Sequence, residues 1–140
     1  KGLIVYTEDK HGRRSEYKCD GETPIEIPMV LLVNGNSASA SEALTLCLDY
    51  YQEYLNAFQV VGTTSYGKGI AQTTINLSNG GSLKYTFAKV YDPGGELSIH
   101  KEGITPDYEI PLESYEIGNA FSYYTSITNQ LEKSIIYAVE

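Results

Sequence analysis

Met29-Val30-Leu31-Leu32-Val33 is an unbroken apolar run, and it limits the possible folds more than any other feature of the chain. A strand with one wet face alternates apolar and polar side chains, whereas a run without alternation suits a strand covered on both faces, as in a parallel sheet. The run is therefore predicted to be a central strand. Asn34-Gly35-Asn36 then makes a turn, and Ser37 to Glu42 leads into a segment with Ala40, Leu44, Cys47, Leu48 and Tyr51 at helical spacing. That spacing predicts a helix from about Ala40 to Tyr54. Asn56 precedes a second apolar run, Ala57-Phe58-Gln59-Val60-Val61, which Gly62 closes. Strand, helix and strand in this order form a βαβ unit, whose two strands run parallel through a right-handed crossover.

The flanking segments read as antiparallel. Leu3 to Tyr6 and Ser15 to Cys19 enclose a polar stretch containing Gly12, which predicts a hairpin, and Pro24 and Pro28 bracket the connection that follows. Ile70 to Leu77 and Ser82 to Tyr91, separated by Asn79-Gly80-Gly81, predict a second hairpin ended by Asp92-Pro93-Gly94-Gly95. Leu97 to Ile110 is turn-rich, and Ile127, Leu131, Ile135 and Ala138 mark a C-terminal amphipathic helix. The fold class is α/β, a parallel βαβ unit with β-hairpins attached.

Composition excludes several functions. The 140 residues suit one domain, and 10 Lys+Arg against 18 Asp+Glu give a net charge of −8. Affinity for a phosphate backbone needs clustered cations, and Arg13-Arg14 is the only basic pair, so nucleic acid is not an expected partner. No apolar run approaches the roughly 20 residues that span a bilayer. Cys19 and Cys47, with His11 and His100, have neither the number nor the spacing of a disulfide framework or a zinc site, and read as buried or half-buried thiols. No metal and no cofactor is expected. The chain enters a strand-like segment directly after Lys1, which reads as an excised segment with polypeptide upstream.

Parallel strands bring the loops at their C-terminal ends to one edge of the sheet, where open α/β folds place ligands. Ser37 to Ser41 and Thr63 to Gly69 are expected to converge there. A serine hydroxyl becomes a good nucleophile once a base takes its proton, and a lysine serves as that base when desolvation lowers its pKa from about 10.4 toward neutrality. A helix N-terminus supplies backbone N–H groups and positive potential for an oxyanion beside the serine.

The segment Val33 to Glu42, followed by Val60-Val61-Gly62, Thr64-Ser65-Tyr66-Gly67-Lys68-Gly69 and Gln72, resembles the core of the C-terminal processing peptidases, the tail-specific serine proteases with a Ser/Lys dyad. Ser98-Ile99 and Gly103-Ile104-Thr105-Pro106-Asp107 resemble a second signature of that family. The resemblance implies a crotonase-like or ClpP-like spiral core, of which residues 1–140 are the C-terminal portion. It implies Ser39 as nucleophile, Lys68 as general base, Gln72 as the residue that orients the lysine, and the Ala40 backbone N–H as an oxyanion donor. The implied substrates are polypeptides with exposed C-termini, cut through an acyl-enzyme in an extracytoplasmic compartment. In the family an upstream strand supplies a second oxyanion donor and a PDZ domain captures substrate tails; neither precedes Lys1, so the isolated segment is expected to be nearly inactive. The helix after the serine is longer than the family's, which implies an insertion of about four residues within Tyr50 to Asn56.

Other readings use the same residues. Ser39 to Glu42 is also a Ser-x-x-Glu capping box, Lys68 between glycines a solvated turn lysine, and Gln72 the wet face of an edge strand. His100 with Ser39 and Asp92 or Asp107 would make a Ser-His-Asp triad, although its charged neighbours predict a solvated side chain. A non-catalytic scaffold domain is a further alternative, with an unpaired sheet edge near Leu3 to Tyr6 that favours self-association.

Overall fold

The computed structural model describes residues 1–21, 27–55, 57–95, 99–111 and 130–131. In chain order it contains β1 (Gly2–Asp9), β2 (Arg14–Cys19), β3 (Met29–Val33), α1 (Ala40–Tyr50), a 3₁₀ turn (Gln52–Tyr54), β4 (Phe58–Gly62), β5 (Ile70–Asn76), β6 (Ser82–Tyr91) and β7 (Tyr108–Glu109). The two apolar runs form the expected parallel pair, in register from Met29 opposite Phe58 to Val33 opposite Gly62. Their side chains make the core: Val33, Phe58 and Val60 are buried, with Met29, Leu31, Leu48 and Leu55 packed against them. Each such buried side chain contributes about 1.5–3 kcal/mol relative to leaving it in water.

Among the described residues the central strand is β4 and not β3. Tyr108 and Glu109, inside a segment read as turn-rich, pair in parallel with Val61 and Gly62, so the three-stranded order is β3-β4-β7. Asp107 fixes that junction, accepting from the Val60 N–H at 2.7 Å through its carboxylate while its own N–H donates to the Val60 carbonyl at 2.8 Å. An apolar run shows that a strand is covered; it does not show which of two such strands has a neighbour on each side. Leu32 of β3 is accordingly 40% exposed, whereas Val61 of β4 is fully buried.

Both hairpins form, and they join into one antiparallel sheet of order β2-β1-β6-β5. The expected free edge near Leu3 to Tyr6 is thus only partly free. Among the described residues, Tyr6 to Glu8 pair with β2 on one side and β6 on the other, Asp9 pairs with β6, and Leu3 and Val5 have partners on β2 alone. Tyr6 stacks on its ladder partner Tyr91 with ring centroids 5.1 Å apart, and the Arg14 guanidinium lies 4.5 Å over the Tyr6 ring. Such stacking favours this register beyond simple burial.

Helix α1 has the predicted period with a different phase and an earlier end. Its buried residues are Glu42, Thr45 and Leu46, while Leu44, expected on the inner face, is half exposed. The chain tightens after Tyr50, where the Leu55 N–H reaches the Gln52 carbonyl in 3₁₀ fashion. The Tyr51 hydroxyl donates to the Leu3 carbonyl at 3.1 Å and docks this end of the helix on β1. Cys47 is half-buried, as expected, whereas Cys19 is exposed, contrary to expectation; each lines a cavity of about 470 Å³ beside Tyr51. Burial, and then the neighbouring Cys19, pushes the Cys47 thiol above its ordinary range. Of the predicted C-terminal helix only Gln130 and Leu131 are described, both helical, and Ile127, Ile135 and Ala138 lie outside the described residues. Pro24, Asn56 and Ser98 lie outside them as well.

Candidate active site

The loops after β3 and β4 converge as the parallel pairing requires. Gly62 ends β4 with φ +131°, and a side chain there would overlap the Val33 carbonyl oxygen, so only glycine lets the chain leave so close to β3. The Thr63 N–H then donates to that same Val33 carbonyl at 3.0 Å, and the Tyr66 N–H to the Ser37 carbonyl at 2.9 Å. Two segments about thirty residues apart thereby run side by side.

Their junction is the Glu42 carboxylate, 1% exposed and in the first turn of α1. Oε1 accepts from the Ser65 hydroxyl and the Gly67 N–H, each at 2.6 Å. Oε2 accepts from the Ser39 N–H and the Lys68 N–H, each at 2.8 Å. Sharing one oxygen, the Ser39 and Lys68 amide nitrogens lie no more than 5.6 Å apart, twice that distance. Burial alone would raise the Glu42 carboxyl, but the hydrogen bonds from Ser65, Gly67, Lys68 and Ser39 outweigh it and hold the group below the ordinary glutamate range. A buried carboxylate is tolerated when its lone pairs are filled in this way.

Ser39 sits just before α1 at φ 60°, ψ −109°, a backbone region that side-chain-bearing residues rarely adopt. It is exposed, as is Ala40, whose N–H is among the first of the helix and outside its internal bonding pattern. Lys68 is half-buried between the buried Gly67 and Gly69. Gln72 lies exposed on β5, and its amide donates to Thr86 of β6 at 3.2 Å. The structure therefore brings the Ser39 and Lys68 backbones together through Glu42. No hydrogen bond joins their side chains to one another, and Gln72 is engaged across the hairpin with Thr86.

A third segment closes over the lysine loop. Lys101 donates its N–H to the Gly67 carbonyl at 2.8 Å, and the Ser65 N–H donates to the Ile104 carbonyl of the same segment at 3.1 Å. The Ser65 hydroxyl accepts from the Ile104 N–H at 2.8 Å. His100 is half-buried rather than solvated, and its Nδ1 is buried without a hydrogen-bond partner. The Asp-to-His link that a Ser-His-Asp triad needs is absent at that nitrogen. Asp107 is committed to Val60, and Asp92 holds its own turn through the Gly94 N–H at 3.0 Å.

Read from its local sequence, Glu42 is a cap alone. The Ser-x-x-Glu spacing gave the bond to the Ser39 N–H, but three of its four donors come from residues 65–68, which no local pattern connects to position 42.

Residues 1–110 match the profile of peptidase family S41. Over 122 residues the chain is 45% identical to the carboxy-terminal-processing protease of Bartonella bacilliformis, covering 83% of this chain and 27% of that protein. Over 117 residues it is 39% identical to the carboxyl-terminal-processing protease of Synechocystis sp., covering 82% of this chain and 26% of that protein. The solved structure of a photosystem II D1 C-terminal processing protease superposes with a TM-score of 0.69 at 34% identity, over 79% of this chain and 28% of that one. The chain spans about a quarter of the length of these relatives. The motif order around Ser39, Lys68 and Gly103 is thus accompanied by a family match over most of the residues, and the chain belongs to peptidase family S41.

Proposed function

We propose that the protein carrying this chain is a serine endopeptidase of the C-terminal processing type, with Ser39 as nucleophile and Lys68 as general base. The observation that supports this reading best is the shared Glu42 oxygen, which keeps the two backbones within 5.6 Å at the C-terminal edge of the parallel strands. In the reaction, the Ser39 Oγ attacks the scissile carbonyl carbon while its proton passes to the Lys68 amine. The carbonyl π electrons move onto oxygen, and the Ala40 N–H at the helix N-terminus stabilises that charge. Collapse of the tetrahedral intermediate breaks the C–N bond, the lysine returns the proton to the leaving amine, and an acyl-enzyme remains. Water, deprotonated by the same lysine, releases the acyl product.

Rotation about the lysine's four methylenes brings its amine to Ser39, with Gln72 turning from Thr86 to hold it there. Substrates are polypeptides with exposed C-termini, met in an extracytoplasmic compartment, and the complete core has the crotonase-like or ClpP-like spiral of which this chain is the C-terminal portion. The remaining three quarters of the length typical of the relatives supply a second oxyanion donor and the capture of substrate tails. The segment by itself is nearly inactive, because losing one oxyanion donor lowers turnover by about 10²–10³-fold.

The test uses the full-length protein with a fluorophosphonate probe and a peptide substrate. Labelling and hydrolysis should be lost in Ser39→Ala and fall by about 10²–10⁴-fold in Lys68→Ala, the usual contribution of a general base. The absence of a direct Ser39–Lys68 side-chain bond favours a second reading, a non-catalytic interaction domain derived from such a peptidase. That reading holds if the full-length protein neither labels nor cleaves.

A further inference from the structure

Ser65 is 6% exposed, and its hydroxyl lies between the Glu42 carboxylate and the loop that follows residue 98. A serine hydroxyl has one proton to donate and can rotate it freely unless its lone pairs are engaged. Here the Ile104 N–H occupies a lone pair at 2.8 Å, which leaves the proton directed at Glu42 Oε1, 2.6 Å away. The Ser65 backbone is held by the same residue, its N–H donating to the Ile104 carbonyl. Gly103, at φ +76°, is packed so closely that a side chain there would overlap the Ser65 carbonyl oxygen.

The carboxylate that receives this proton has two ends with different tasks. Oε1 faces Ser65 and Gly67, and Oε2 joins Ser39 to Lys68. The terminal torsion of a glutamate is broad and roughly two-fold, so backbone packing alone does not fix which way the carboxylate plane faces. Removing the Ser65 donor leaves Oε1 with the Gly67 N–H alone and frees the plane to turn. The bridge at Oε2 then lengthens, although neither Ser39 nor Lys68 has been altered.

We propose that Ser65 is a positioning residue of the peptidase site, whose hydroxyl orients the Glu42 carboxylate and thereby transmits the conformation of the Ile99 to Ile104 loop to the Ser39–Lys68 pair. This rests on the Ser/Lys reading above. A misplacement of about 1 Å between reacting groups can lower rate about 10²-fold while substrate binding elsewhere is untouched, so the effect belongs in kcat.

The experiment compares wild type, Ser65→Ala, Ser65→Thr, Ser39→Ala and Lys68→Ala in the full-length protein, assayed at a temperature where circular dichroism shows each variant folded. Ser65→Ala should lower kcat about 10- to 100-fold with KM within about twofold, and slow fluorophosphonate labelling of Ser39 by the same factor. Ser65→Thr, which keeps the hydroxyl, should recover kcat to within about threefold. Should the alanine variant not accumulate folded, Ser65→Cys, close in size but a weak donor, carries the test with the same expected split. A folded Ser65→Ala with wild-type kcat overturns the proposal, as does a loss that a folded Ser65→Thr does not recover. If Ser39→Ala and Lys68→Ala are inactive while Ser65→Ala is normal, the dyad stands and only the role of Ser65 falls; if those two retain hydrolysis, the dyad itself is wrong.

Discussion

The backbone N–H groups of Ser39 and Lys68, far apart in the chain, end on the same oxygen of Glu42, each at 2.8 Å. The helix start and the lysine loop therefore cannot move independently, and each prediction below follows from that linkage or from a contact that supports it.

Replacing Glu42 separates shape from charge. Glu42→Ala leaves four donors facing a vacated, buried space and should lower unfolding free energy by about 3–5 kcal/mol. Glu42→Gln keeps the volume but presents its NH₂ to N–H groups on one side, and a smaller loss of about 1–3 kcal/mol is expected. Urea midpoints at neutral pH check both values. A glutamine variant as stable as wild type would mean that volume rather than hydrogen bonding holds the junction.

Ser39 occupies a conformation suited to glycine, and its strain should be recoverable as stability. Ser39→Gly is expected to raise unfolding free energy by about 1 kcal/mol while abolishing fluorophosphonate labelling, because the backbone relaxes as the proposed nucleophile disappears. Ser39→Ala, which keeps a β-carbon at φ 60°, should lose labelling without that gain. Thermal melts of the three proteins side by side decide the matter, and a glycine variant less stable than the alanine variant would contradict it.

Two carboxyls move stability with pH in opposite directions. Glu42 is held below its ordinary value when folded, so its contribution is complete above the unfolded value near 4.5 and is lost as pH falls through the lower folded value. Asp49 is raised, by burial and then by Asp107; its protonated form favours the folded state at low pH, and that advantage disappears as pH rises through the raised value. Glu42→Gln should therefore flatten the fall in melting temperature below about pH 4.5, and Asp49→Asn should stabilise the protein at pH 7 but not at pH 3. Half-buried Asp9, lowered to about 2 first by the Arg13 backbone N–H, adds a slope in the same direction as Glu42 that persists in both variants.

Gly103 and Gly80 share a positive φ but differ in surroundings. Nothing lies near a β-carbon built at Gly80, so Gly80→Ala should cost only the backbone term, about 1 kcal/mol. At Gly103 the added carbon overlaps the Ser65 carbonyl oxygen, and overpacking contributes about 1–3 kcal/mol more. Gly103→Ala should also slow probe labelling of Ser39 in the full-length protein, since it displaces Ser65; denaturation curves and labelling rates measured together check both effects.

Much of the fold is legible because its signals are local. The unbroken Met29 to Val33 run, the Asn34-Gly35-Asn36 turn and the helical spacing after Ala40 each act within a few residues, and they yield the parallel pair and the crossover helix. The hairpin around Gly80 is equally local. The phase of α1 is not, because Leu44 and Leu46 are alike in hydropathy and the choice between them is made by the Glu42 carboxylate, which must face inward to meet residues 65–68. Strand β7 is missed for the same reason, since two residues carry no periodicity and pair only because Asp107 ties them to Val60. At His100, flanking Lys101 and Glu102 suggested solvent, yet packing of this segment over Gly69 buries Nδ1.

The gathering of Ser39, Ser65 and Lys68 around one acid also bears on how such a chain survives its own synthesis. A newly made polypeptide is itself an unfolded substrate, crowded among others of its kind. Under the proposed Ser/Lys reading, Ser39 and Lys68 come together only once distant stretches have closed on Glu42, so cutting power arrives together with the finished core and not before it. On that reading a half-made molecule is harmless to its neighbours for the plain reason that its blade has not yet been assembled.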